Sequence, residues 1–232
     1  MPNQVTTRCA VTGPPKDVGA FRSRMFVTEM DDLNDTQFDF SKIVPRPRCF
    51  EEVSWDSVTS DTLNVISGGE AADEAWKRIV RSDNAGSLAK VQDPIKFETF
   101  ELRDMLERAF PGCIAKARKL AACIAETGSA CPVDWAVANW GTKWNAYSFT
   151  LIGKDPLEFR FDTAWSFPEP VFRALARTFP RLKFNCVTFD DGWLFAGSGA
   201  FNPGRGEGAF EFREPTAELY ELVYGIPCAD EL

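Results

Sequence analysis

The sequence predicts an α+β protein: a ferredoxin-like split β-α-β unit with an antiparallel sheet, interrupted by a mainly helical insertion. Three observations carry that expectation. Period-two strands stand near both ends of the chain, amphipathic helices follow the first and third strands, and the stretch from Phe50 to Ala130 reads as mainly helical.

The opening QVTTRCAVTG puts Val5, Thr7, Cys9 and Val11 on one face and Thr6, Arg8, Ala10 and Thr12 on the other, and Gly13-Pro14-Pro15 closes it. KDVGAFRSRMF follows as a short helix with Val18, Phe21 and Met25 at helical spacing. DFSKIVPRP reads as an extended loop. In the insertion, GGEAADEAWKRIVRSDNAG carries Ala72, Trp76 and Ile79 along one stripe, and DPIKFETFELRDMLERAF and PGCIAKARKLAACIAETG are two further helices parted by Pro111-Gly112. Strands then return. NAYSFTLIG and LEFRFDTAW form a hairpin about Asp155-Pro156, with Leu157, Phe159 and Phe161 sharing one face. PEPVFRALARTF is a helix whose first turn carries Pro and Glu, and RLKFNCVTFDD and WLFAGSGAF pair around Asp191-Gly192. The chain thus parses into residues 1–49, an insertion over 50–138, the rest of the sheet unit over 139–212, and an acidic C-terminal segment over 213–232. Helices are expected on one face of the sheet.

Composition removes several function classes. A net charge of −8 opposes non-specific nucleic-acid binding, which needs lysines and arginines to displace counterions. The chain has no histidine, so the commonest general base and metal ligand are absent. Seven cysteines without CxxC spacing are expected as free thiols in a reducing cytoplasm, with neither disulfide framework nor zinc site. No apolar run approaches the ~20 residues of a membrane span. The start Met1-Pro2-Asn3-Gln4 does not read as a signal segment, and a cytoplasmic location is expected. Aromatics, at 13%, exceed what a core of this size needs and leave some for a partner.

Acids cluster between Glu29 and Asp61, where Glu29, Asp31, Asp32, Asp35, Glu51 and Glu52 form a candidate interaction surface. Charge runs usually serve solubility, but this one could also compete for a basic groove on another protein. The block VANWGTKWNAYSFTLIG supplies a candidate aromatic pocket. In it Trp140 and Trp144 fall on one side if the turn is helical, Lys143 is an anion contact, and Trp165 closes the far wall. The plain alternative is that both tryptophans clamp the insertion onto the sheet. Arg173, Arg177 and Arg181, spaced by four, form a basic stripe on the second sheet helix.

The glycines of AGSGAFNPGRGEGAF lead into extended sequence rather than a helix N-terminus, which argues for a wide turn over a phosphate loop. Asp190 and Asp191 are expected to face solvent on opposite sides of a turn, and Glu169 to serve a helix dipole. Cys113 alone sits at a helix start, where a thiolate would be favoured, yet Ile114 and Ala115 suggest burial. No catalytic residue, metal site or cofactor is assigned.

MPNQVTTRCAVTG, NWGTKWNA, FDTAWSFPEPVFRALARTFP and DGWLFAG together resemble the YubB-type ferredoxin-like proteins of plasmids, phages and genomic islands. The resemblance involves both ends of the chain and not the insertion. It implies a ferredoxin-like fold and a mobile-element origin, and no reaction. Relatives often carry His where Asn139 stands and an acid where Asn145 stands, so any chemistry resting on those groups is lost here. The resulting expectation is a non-enzymatic accessory protein that binds a host protein or complex. An inhibitor of a CRISPR nuclease is its most concrete form, with direct nucleic-acid contact not expected. The alternative is a nucleotide or nucleic-acid binder using the aromatic and lysine pocket.

Overall fold

The computed structural model describes residues 3–28, 36–68, 70–83, 86, 88, 99–202 and 208–228. The chain divides into two compact units, Met1–Arg46 with Ala136–Leu232, and Pro47–Trp135.

The first unit is built on a six-stranded antiparallel sheet. Its strands are β1 (Gln4–Thr12), β4 (Tyr147–Lys154), β5 (Leu157–Ala164), β6 (Lys183–Asp190), β7 (Ala196–Phe201) and β8 (Phe210–Arg213), in the spatial order β4-β5-β1-β6-β7-β8. The first four in that order follow the ferredoxin-like arrangement, and β7 and β8 extend it on one side. β1 lies between β5 and β6, with Cys9 opposite Phe159 on one side and Cys186 on the other. Val5, Thr7, Cys9 and Val11 are all buried, as the alternation requires.

Helices α1 (Pro15–Met25) and α8 (Glu169–Thr178) contribute Phe21, Met25, Val171, Phe172 and Leu175 to the core against this face. Phe21, Phe38, Phe40, Phe159, Phe161, Phe172, Phe184 and Phe201 are fully enclosed, mostly edge-on or tilted to one another. Each such ring removes enough apolar surface from water to contribute about 1.5–3 kcal/mol. The phenylalanine surplus therefore builds this layer.

Several features of this unit depart from the sequence expectation. Phe26–Thr28 (β2) and Thr36–Phe38 (β3) form a small hairpin, and a single 3₁₀ turn, Phe40–Lys42, takes up part of the proline-punctuated segment. The C-terminal segment is not merely acidic: Ala217–Tyr224 is a helix, α9, with Thr216 accepting from the Leu219 amide as its N-cap. This helix packs on the sheet face opposite α1 and α8, where Val223 joins Phe189 and Ala196 in a second small core. Helices consequently cover both faces of the sheet. Short apolar spacing in a segment rich in acids concealed α9.

The second unit is helical: α2 (Cys49–Glu52), α3 (Ser57–Ser67), α4 (Ala72–Ser82), α5 (Thr99–Ala109) and α6 (Cys113–Thr127). Helix α7 (Pro132–Trp140) runs across the boundary between units. The first third of the proposed DPIKFETFELRDMLERAF helix, residues 93–98, falls outside the described residues. Its core gathers Val65, Trp76, Ile79, Leu88, Leu102 and Leu106.

Helix α3 was not foreseen in the sequence, because its stripe mixes Val65 with buried Thr59, Asp61 and Thr62. Asp61 is held by Arg78 at 2.6 Å, which lets a carboxylate sit in that stripe. One cysteine expectation is overturned. Cys49 on α2 and Cys123 on α6 are joined as a disulfide, their Cα atoms 5.5 Å apart across 74 residues of sequence. Only packing of α2 on α6 brings them together, so no spacing rule could reveal the pair. The remaining five cysteines are free.

Candidate functional site

Helix α7 ends at Trp140, and Gly141 turns the chain with a left-handed φ of +79°. A Cβ at Gly141 would meet Pro170 Cδ at 2.7 Å, so the turn both needs glycine's conformational freedom and lies tight on α8. Because the helix stops here, Trp140 and Trp144 do not share a side. Trp140 is buried, its Nε1–H donating to the Val44 carbonyl at 2.9 Å and its ring edge-on to Phe40. It belongs to the core. Thr142 ties the same loop to β5 through the Ala164 carbonyl at 2.8 Å, and Ser166 Oγ donates to the Gly141 carbonyl.

What remains outward is a compact group. The Lys143 ammonium lies 4.5 Å from the Trp165 ring centroid and 5.0 Å from that of Trp144, with the two indoles 50% and 44% exposed. Cation–π attraction, worth about 0.5–1 kcal/mol at an exposed site, favours this arrangement of the three side chains. Of the sequence-proposed pocket, Lys143, Trp144 and Trp165 thus come together and Trp140 stands apart.

Trp165 has a φ of +75°, and its amide donates to the Asn3 carbonyl at 3.0 Å. The β6–β7 turn lies beside Asn3, since a Cβ at Gly192 would approach Asn3 Nδ2 to 3.0 Å. That turn presents Trp193, with a φ of +57°, and exposed Leu194. Among the described residues the non-glycine positions with left-handed φ are Ser148, Trp165 and Trp193, at the start of β4, the end of β5 and the β6–β7 turn. All three belong to one end of the sheet. Each costs on the order of 1–3 kcal/mol, and such strain persists where surrounding structure enforces it. Trp193 was not singled out in the sequence as a site residue, and its position inside a tight turn was the signal available.

Beneath this rim lies a polar cluster. Asp162 accepts from Thr6 Oγ1 at 2.8 Å and from Gln4 Nε2 at 2.5 Å. Burial pushes its carboxyl up, while hydrogen bonds from Thr6, Ser148 and Gln4 pull it back. Tyr224 donates to Thr6 Oγ1 at 3.1 Å, and burial raises its phenol, as it does that of Tyr147. Asp190 does not face solvent as expected. It is fully buried, accepting from the Leu194 amide at 3.1 Å, whereas the Asp191 carboxylate accepts from the Gln4 amide at 3.0 Å. Both acids are turn-builders. Among the described residues, no three His, Cys, Asp or Glu side chains gather closely enough to hold a metal ion.

The other candidates are dispersed. Glu29, Asp31, Asp32 and Asp35 fall outside the described residues. Glu51 and Glu52 are exposed on α2 and border a depression of about 430 Å³ that Lys116 and Lys119 also line, so their charge is offset locally.

The basic stripe breaks because α8 ends at Thr178. Arg173 is bound to Glu169 at 2.8 Å, and Arg181 beyond the helix pairs with Asp17 at 2.7 Å. Arg177 is exposed beside Asn139 in a cleft of about 400 Å³. Asn145 has a structural role, accepting from the Phe40 amide at 2.8 Å and donating to Asp39 at 2.7 Å, which an acid could not do. Cys113 is buried, and burial raises its thiol, with Glu107 adding to the rise. Part of the glycine-rich segment, residues 203–207, falls outside the described residues.

Residues 139–213 match a family model described as the ferredoxin-like domain in Api92-like protein. That part of the chain is similar to Api92-like proteins. The Api92-like segment contains Lys143, Trp144, Trp165 and Trp193, whereas β1 and α9 lie outside the matched range. The crystal structure of a protein api92 from Yersinia pseudotuberculosis is a distant likeness, with 12% identity and a TM-score of 0.41 over 93% of this chain and 100% of that one. No curated protein matches the chain. Among the described residues no helix is long and apolar enough to cross a membrane.

Proposed function

We propose that this chain acts by binding a protein partner rather than by turning over a substrate, and that it does so through the Trp144–Lys143–Trp165 face. The observation that carries this reading is the exposure of two indoles, 44% and 50%, around a lysine, with Trp165 itself held in left-handed backbone. Tryptophan is enriched among the few residues that dominate binding energy, and a pose fixed before binding loses little entropy on contact. Behind it, the hydrogen bonds joining Gln4, Thr6, Asp162 and Tyr224 serve as support. The most concrete partner on this reading is a host immune complex such as a CRISPR nuclease. A net charge of −8 suits competition with DNA for a basic groove.

The test is a DNA-cleavage assay with a purified CRISPR nuclease complex, titrated with the protein and with a Trp144→Ala/Trp165→Ala variant. Stoichiometric inhibition that weakens at least roughly tenfold in the variant supports the reading. Absence of both complex and inhibition removes this target. Recovery of nucleic acid alone from host lysate sinks protein binding altogether.

A second reading is favoured by the same lysine. Two exposed indoles beside an ammonium make a stacking platform for bases with a contact for phosphate. Saturable quenching of tryptophan fluorescence by an oligonucleotide, lost in Trp144→Ala and steeply weakened by salt, would select it.

A further inference from the structure

We propose that the outer edge of β8 is a self-association surface, where β8 pairs antiparallel with β8 of a second copy about a two-fold axis at Phe212. β8 is a terminal strand of the sheet, hydrogen-bonded to β7 among the described residues. The Phe210 amide donates to Glu169 Oε1 at 3.4 Å rather than to β7. Alternation along an antiparallel strand then directs the Phe212 amide and carbonyl away from β7 as well. A strand edge with unpaired backbone groups is a ready template for another strand, and natural proteins usually blunt it. Here, Glu211, Phe212 and Arg213 are all exposed, Phe212 by 67%.

The side chains commit the occupant to a second copy. An antiparallel register centred on Phe212 sets Phe212 beside its symmetry mate, and Glu211 of each copy directly opposite Arg213 of the other. Glu211 and Arg213 already share one face of the strand, joined by a loose 3.5 Å contact with both side chains exposed. Exchanging that contact for two intermolecular ones costs little. Phe195, 5.5 Å from Phe212 between ring centroids, extends the apolar part of the edge. The patch is therefore self-complementary, as a two-fold interface requires. A three-residue ribbon, Glu211 to Arg213, with a few aromatic side chains buries less than the roughly 1,200–2,000 Å² of a standard interface. The dimer is accordingly concentration-dependent, and its formation joins two sheets into one.

Sedimentation of the full chain over a wide concentration range tests this. Wild type shifts from monomer to dimer, whereas Glu211→Arg and Arg213→Glu each weaken self-association at least tenfold by placing like charges opposite one another. An equimolar mixture of the two variants regains a heterodimer, because each then supplies the charge the other lacks. Thermal melts establish that the variants are folded, which their exposure favours. Wild type that stays monomeric to about 1 mM overturns the proposal. So does a dimer indifferent to both charge reversals and to Phe212→Asp, or a mixture that fails to associate.

Discussion

Replacing Trp140 by alanine removes a buried indole and orphans the Val44 carbonyl that accepts its N–H. A loss of about 3–5 kcal/mol is expected, readable in urea unfolding. Trp144→Ala removes a side chain of the same kind four positions on, and its expected cost is smaller, about 1 kcal/mol, since it loses the Lys143 contact but orphans no polar group. Gly141→Ala should destabilise by about 1–3 kcal/mol in the same experiment, through the left-handed φ and the 2.7 Å approach to Pro170.

Asp162 makes stability depend on pH in an unusual sense. Its native carboxyl is raised by burial, so the native state holds the proton where the unfolded state has already released it. Relative to Asp162→Asn, wild-type stability should be greatest below about pH 4, fall as pH rises through the native value, and then level off. Chemical unfolding at a series of pH values checks the sign; a rise with pH over that window would contradict it.

At the scale of elements, α9 shows how a helix can be fixed by the sheet it covers. Arg8 Nη1 donates to the Leu222 carbonyl at 2.9 Å and Arg160 Nη1 to that of Tyr224 at 3.0 Å, serving carbonyls in the helix's last turn. The Tyr224 hydroxyl reaches Thr6, and Tyr220 stacks on Trp193. Tyr224→Phe should cost about 1 kcal/mol and raise hydrogen exchange in α9 before that in β1. Helix α8 teaches the converse. Three arginines at intervals of four imply one face only while the helix lasts, and it stops at Thr178, before Arg181. Strand periodicity was more dependable, because Phe159 and Phe161 on β5 share the buried face while Arg160 between them points to the other, where it meets α9.

At the scale of the molecule, the helical unit carries its own core and its own covalent link. Reducing Cys49–Cys123 should lower its stability by about 2–4 kcal/mol, since the link closes a long loop. Exchange protection in α6 would then fall while that in β1 and β5 is retained. Equal loss in both units would argue against separate cores.

The sequence by itself determined the sheet unit, its phenylalanine face and the helical character of the insertion, because periodicity is local and burial enforces it residue by residue. It also marked Lys143, Trp144 and Trp165 as unusual. Tertiary structure alone decided which indole is spent in the core, which cysteines meet, where α9 lies and which strands end the sheet. Those outcomes depend on where a helix ends and on what distant segment arrives beside it, and such long-range contacts leave no fixed spacing along the chain.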